Sequence, residues 1–505
     1  MQNFLLSKST MLLLLIFLCV CNLGFSQNIT ITPNGINPSQ GLSKMSYSQI
    51  NALEMNTLGD LVIDTTFNCV RFYNGVKWDC LNFTNYSNLP EITAKKLINT
   101  DLNLRPYKIE IDKNENIYIF GEFSSSFSIG NETLNPLGYQ DVFLLKLDKN
   151  GIFKWIRQGG GTSWDFSYSI KIDSKGFIYV TGEFGENASF GTNSVQSNGR
   201  QDVYYCKYDS LGNSIFAKSI GGEWDDKGKK IIVDANDNVY LFGEFSGQVN
   251  FGSITTNPDD YSTKIFISKI NLQGDLTWIN FISSNYGVKL TDVDLNADQR
   301  LCIVGSFSGD IQFGSSNYSS GRTSSIFIAK FNTSNQTWYQ SFVYPLYSAT
   351  EATAIKTHYN DYIITGKTSQ GIFLTKYNNS NNICWTYLYP TTIYDNQPSD
   401  LIINRDGEVY LIGTFSKYFS IQNNLLTAKG DIDGFIAKIA VDGNSKWLIS
   451  FGGTNGSEVH PISGIINKKS ELITIGMFDQ NAYFGSKYLF SSNYLSNFIS
   501  LLVEK

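Results

Sequence analysis

This 505-residue chain contains two histidines, His358 and His460, neither with a histidine or cysteine partner at metal-ligand spacing. A zinc centre of ordinary composition is therefore not expected. Carboxylates are better candidates by type. Glu122, Glu183 and Glu244 each sit in a Gly-Glu-Phe tripeptide, and two such groups about 5–9 Å apart could hydrolyse a glycosidic bond. Their recurrence points the other way, because a catalytic group is needed once, whereas a repeated residue answers a repeated packing problem. Lys146, Lys207, Lys269, Lys330, Lys376 and Lys438 recur in the same manner and are expected to snorkel or to pair between neighbouring elements. The segment DANDN (234–238) lacks the glycine and closing glutamate of a calcium loop and reads as a hairpin turn. The chain has no nucleophile elbow, HExxH or phosphate loop. No catalytic residue, metal or cofactor is expected.

A set of aromatics remains. Trp164, Trp224, Tyr286, Tyr347 and Tyr394 stand in loops ahead of successive apolar strands, and Asp165, Asp225 and Asp395 follow three of them. Aromatic faces beside acids suit stacking on sugar rings or gripping a peptide. Alternatively, each ring packs between adjacent repeats at the rim. These eight residues are the candidate ligand-binding positions.

The elements that position them follow from the composition and period of the chain. Aromatics make up 14% of residues and charged residues only 17%, a profile that favours pleated, half-buried surfaces. Lys8, the apolar run 11–20 and the small residues before Gln27 read as a secretory signal, residues 1–26, too short to span a bilayer. Removing Lys8 leaves 38 basic against 45 acidic residues, which argues against nucleic acid and anionic membranes as partners. The product is expected to be exported, without membrane insertion, and monomeric.

The glycines Gly121, Gly182, Gly243, Gly305, Gly366, Gly413 and Gly476 recur at intervals of 61, 61, 62, 61, 47 and 63 residues. Around each lies the same order: an alternating segment ending in Asp or Asn, a strand such as IYVTGEF, a third strand with a lysine, and a fourth carrying Trp155, Trp278, Trp338, Trp385 or Trp447. Four short antiparallel strands, repeated without a helical period, predict a seven-bladed β-propeller in residues 91–505. The expected blades are 107–166, 167–227, 228–287, 288–350, 351–397, 398–460 and 461–505. The last unit ends at its third strand, so EITAKKLINT (91–100) is expected to supply its fourth and cover an open edge.

These repeats resemble the bacterial SBBP-type β-propeller repeats through DKNENIYIFG, DSKGFIYVTG, DANDNVYLFG and NRDGEVYLIG. The resemblance implies an exported propeller and no particular activity. Residues 27–89 are similar, in INAL, GDLVIDTT and FYNGVKW, to a short module ahead of larger domains in Gram-negative envelope proteins and tail-fibre-like adhesins. That likeness implies a spacer or assembly element. In this small α+β module Ser46 is expected to cap a short helix through Ala52, and Asn74-Gly75 to make a two-residue hairpin turn. Counting outward from that turn places Cys69 opposite Cys80, as a disulfide favoured by export.

The expected architecture is all-β: a propeller of four-stranded antiparallel blades plus this module. It acts as a binding or scaffold module of the bacterial envelope or exterior, with a protein or glycan partner. A structural subunit of a larger assembly, and a glycan lyase or hydrolase working in the axial pocket, are the alternatives.

Overall fold

The structure is a computed structural model. It describes residues 89–504 except 98–103, 257–260, 345–348, 391–395, 423, 455 and 492–494, together with short backbone segments between residues 30 and 81. The chain divides into two compact units, residues 1–88 and 89–505.

In the first unit Thr30–Thr32 pairs with Gly35–Asn37, and a second sheet orders Lys44–Met45, Leu61–Asp64, Cys69–Tyr73 and Trp78–Leu81. Tyr73 pairs with Trp78 and Arg71 with Cys80, while Cys69 faces Asp64 on the other side. The expected register is therefore corrected by two residues. Cys69 and Cys80 are not directly opposed along the backbone, and the turn residues 74–77 lie outside the described residues. The signal segment 1–26, the cysteine side chains and, apart from Gln49, the helix expected at 46–52 lie outside the described residues.

The second unit is built of antiparallel four-stranded sheets. Leu104–Ile111, Ile117–Phe123, Asp141–Leu147 and Phe153–Gly161 form the first, and among the described residues the same strand order recurs in six further groups. The first two sheets join where Gly159–Gly161 pairs with Ala188–Phe190. Asp165 already belongs to the second group, so the expected boundary at 166/167 falls inside a strand. Glu91–Lys96 pairs antiparallel with Ser496–Val503, Phe498 opposite Lys96 and Val503 opposite Glu91. First strands pack one on the next, from Leu104–Ile111 through Asp165–Ile172 and onward to Val459–Ile466, which returns to Leu104–Ile111.

The recurring glycine has a steric cause. Each first strand bulges opposite it, at Pro106/Lys108, Ser167/Ser169, Gly228/Lys230 and the four equivalent places. The bulge drives a carbonyl against the glycine: a Cβ on Gly121 would lie 2.3 Å from the Arg105 oxygen and 2.7 Å from the Phe143 ring. An aromatic residue faces the glycine from the third strand in every group: Phe143, Tyr204, Phe266, Phe327, Phe373, Phe435 and Phe498. Any side chain at the glycine would displace that ring, whose burial contributes roughly 1.5–3 kcal/mol. The Asp of the family-like motif is explained by its turn. Asp234 accepts the backbone N–H groups of Asn236 and Asn238 at 2.9 and 2.8 Å and the Tyr240 hydroxyl at 3.2 Å. The Tyr of the motif is there to meet it.

The core lies between sheets. Ile119 and Phe143 of the first pack with Ile475 and Ile499 of the last, and Ile363 and Leu374 of the fifth with Leu411 and Phe435 of the sixth. Some of the third-strand lysines and fourth-strand tryptophans cross these boundaries. Lys146 donates to the Ser210 carbonyl at 2.9 Å and Trp155 to the same oxygen at 3.4 Å, while Lys330 reaches the Asn379 carbonyl at 2.8 Å. The first strands also carry a half-buried ionic network. Lys171 pairs with Glu110, Lys230 and Lys356 share Asp292 at 2.5 and 3.0 Å, and Lys108 lies 3.8 Å from Asp400 of the sixth group.

Candidate functional site

Loops that join each fourth strand to the next first strand carry the sequence-selected aromatics. Trp164 is 45% exposed and stacks on Tyr139 with ring centroids 5.6 Å apart. Half-buried Trp224 meets Tyr261 edge-on at 5.8 Å, and the Arg200 guanidinium lies 5.1 Å from its ring. Tyr286 is 60% exposed, with the Arg322 guanidinium 5.6 Å from its ring. Tyr347, Tyr394 and Asp395 lie outside the described residues. Three consecutive sheet junctions thus present aromatic rings, each backed by a ring or guanidinium from a loop leading into a third strand. Sequence reasoning missed those partners, Tyr139, Arg200, Tyr261 and Arg322. Their signal was available: Tyr139 and Arg200 each stand two residues before a third-strand aspartate.

The acids divide differently. Asp225 is exposed and lines a cavity of about 510 Å³ with Trp224, Lys227, Glu244, Tyr261 and Lys289. Asp165 is wholly buried and accepts the Gly161 N–H at 2.8 Å, so it does not stand in an open ring of acids. Its counterpart in the next group is Asp226, not Asp225. Asp226 is likewise buried and accepts the Gly222 N–H at 2.8 Å, and its own N–H donates to the Gln201 carbonyl as that of Asp165 does to Gln140. Burial raises Asp165 to about 7, with Asp141 adding to the rise, and Asp226 to about 8, with Asp202 and Asp225 adding. Gly160 leaves room for the first pair: a Cβ there would lie 2.5 Å from Asp165 Oδ2 and 2.9 Å from Asp141 Oδ1.

The Gly-Glu-Phe glutamates latch neighbouring sheets. Glu122 accepts the Ser167 N–H at 2.8 Å, and Glu244 accepts the Leu290 N–H at 2.7 Å, each on the first strand of the following group. Glu183 accepts the Tyr168 hydroxyl at 2.5 Å and lies 3.3 Å from Lys227. Burial lifts Glu122 to about 7 and also raises Glu183. Glu122 and Glu183 are buried and occupied by these contacts, which suits fastening better than proton transfer to a substrate. His358 meets the Arg405 carbonyl and His460 meets Glu458, each at 3.0 Å. Among the described residues no group of three or more His, Cys, Asp or Glu gathers as a metal set.

A second cavity, of about 370 Å³, continues from the first through Thr263 and Lys289 to Tyr286, Ser306 and Glu351. Together these form an aromatic-walled depression of mixed polar and apolar surface across two sheet junctions. Such a surface can hold a ligand by ring stacking and hydrogen bonding.

Residues 154–183 match the family model described as a beta-propeller repeat, SBBP. An uncharacterized WD repeat-containing protein of Acanthamoeba polyphaga mimivirus is 22% identical over 259 residues, which cover 43% of this chain and 19% of that relative. Among solved structures, virginiamycin B lyase from Staphylococcus aureus is 10% identical with a TM-score of 0.45, covering 82% of this chain and 100% of that one. The Dos1 propeller is 10% identical with a TM-score of 0.39, covering 82% and 95%. On its strands and on the matched repeat, the chain is an all-β protein carrying an SBBP β-propeller repeat.

Proposed function

We propose that the chain is an exported recognition or scaffold module, a seven-bladed β-propeller whose last blade is completed by Glu91–Lys96. It binds a protein or glycan across the face bearing Trp164, Trp224 and Tyr286. Support for the ring comes from the cyclic packing of first strands and the pairing of Glu91–Lys96 with Ser496–Val503. One observation carries the recognition role: Tyr139, Trp164, Tyr261 and Tyr286 are exposed, and Trp224 is half-buried, at three successive blade junctions. Large rings gathered on one surface mark an interaction site. The full chain carrying Trp164→Ala, Trp224→Ala and Tyr286→Ala together should lose capture of its partner from envelope extract while keeping its melting temperature. Undiminished capture would refute the reading.

A structural role in a larger assembly is favoured by a different feature. The outer strand Ile383–Pro390 of the fifth blade has no charged residue and exposes Ile383, Cys384 and Leu388. Open strand edges are normally blunted by charge. Leu388→Lys should leave aromatic-face capture intact under the recognition reading and disrupt it under the assembly reading.

A further inference from the structure

A cavity of about 760 Å³ lies at this face where Ser283, Ser284 and Asn285 meet the hairpin Asp310–Phe313/Ser316–Ser319. A backbone bridge between Ser284 and Ile311 fixes the junction. The hairpin has two faces, as alternation requires. Ile311 and Phe313 are buried beneath it. On its other face Asp310 pairs with Ser319 and Gln312 with Asn317, and all four line the cavity. No such face occurs on the corresponding hairpins of the last two blades, which place Tyr483 opposite Tyr488, Asn481 opposite Phe490, and Ser420 opposite Leu425.

We propose that this cavity seats a sugar unit of a neutral glycan chain, an inference that rests on the recognition reading above. Neighbouring sugar hydroxyls each donate and accept. An array of one carboxylate, three amides and hydroxyls supplies both roles at adjacent points. Much of that capacity is open: Gln312 uses its Nε2 on the Gly314 carbonyl, and Asp310 accepts from Asn285 at 3.0 Å. Among the described residues the side chains of Ser283, Asn317 and Ser319 make no hydrogen bond. Among the described residues no cation lines the cavity, and Asp310 repels uronates, phosphates and nucleic acid. A peptide would need seats for apolar side chains, yet only Ile311 and Tyr318 are apolar here, and the Tyr318 hydroxyl is held by the Ser341 carbonyl at 2.6 Å. Beyond Asn285 the same loop presents Tyr286, an aromatic platform for the next ring of the chain.

The test uses the full chain in affinity electrophoresis and calorimetry with soluble laminarin, galactomannan and xylan, and with polygalacturonate. At least one neutral glycan should bind, and polygalacturonate should bind at least about tenfold more weakly. Gln312→Ala with Asn317→Ala should weaken the neutral glycan by about tenfold, the loss of one to two hydrogen bonds. Tyr488→Ala, on a different hairpin, should change nothing. The proposal is overturned if no neutral glycan binds, if the acidic polymer binds best, or if the double variant, folded by its melting temperature, binds as the parent does. Should glycans fail while the Trp164/Trp224/Tyr286 triple variant still loses a protease-sensitive partner, only the glycan assignment falls. Should neither be observed, the recognition reading falls with it.

Discussion

Burial turns two aspartates of this protein into weak acids, and stability must register it. Asp165 and Asp226 titrate at about 7 and 8, against 3.8 when free in solution. Between those values the folded chain binds more protons than the unfolded one. Their contribution is full below pH ~4 and is lost as pH rises through ~7–8, at up to about 1.4 kcal/mol per pH unit for each group. Glu408 opposes this in acid. Lys438 at 2.7 Å, together with Lys446, helps hold it down at about 2, so its stabilisation exists above ~4.5 and fades as pH falls toward 2. Urea midpoints followed by tryptophan fluorescence should therefore be highest near pH ~4–5 and decline steadily toward pH ~8. Asp226→Asn should flatten the alkaline decline, and a midpoint that climbs from pH 5 to 8 would contradict the assignment. The choice between Asp225 and Asp226 was not legible in sequence. Trp164 is followed at once by its buried acid, whereas Trp224 has one extra residue between, and a one-residue phase in a loop leaves no periodic trace.

At the scale of elements, the strands were readable because a glycine facing an aromatic ring and a bulge recurs with every group. The second strands are buried along their length, as in Val409–Phe415, and read as continuous apolar runs closed by that glycine. Registers across turns were less readable. The Cys69–Cys80 pairing assumed a two-residue turn at Asn74-Gly75, while the backbone begins pairing at Tyr73 and Trp78. Contacts between groups, such as Glu244 with Leu290, were invisible for another reason: they join loops and strands whose proximity only packing creates. The added strand Glu91–Lys96 buries Ile92 against a cluster that includes Leu472, Phe498 and Leu502. Ile92→Ala should cost about 2–4 kcal/mol. Deleting residues 91–97 should leave Ser496–Val503 as an open edge and produce oligomers in light scattering, which a synthetic peptide of residues 89–98 should suppress. A monomeric deletion variant of unchanged stability would show the strand to be dispensable.

At the scale of the whole molecule, the ions of the first strands join groups that are not sequence neighbours, as Lys108 and Asp400 do. Asp292 is the central member, its carboxyl held well below the usual range by Lys230 and Lys356. Asp292→Asn leaves two half-buried ammonium groups facing an amide and should lower stability by about 1–3 kcal/mol. Asp225→Asn, in an exposed loop, should change it by less than ~0.5 kcal/mol. Equal effects in chemical denaturation would place the network outside the energetic centre of the fold. The pairing of Glu91–Lys96 with Ser496–Val503 also carries a consequence for biosynthesis. Thr93 bonds to Leu501 across 408 positions of chain. At ribosomal speeds of about 5–20 residues per second, that separation is roughly 20–80 s of waiting. The ribbon Glu91–Lys96 is made long before the strand it pairs with, so a holding factor that masks it during synthesis should matter more to yield than any factor acting on the finished protein.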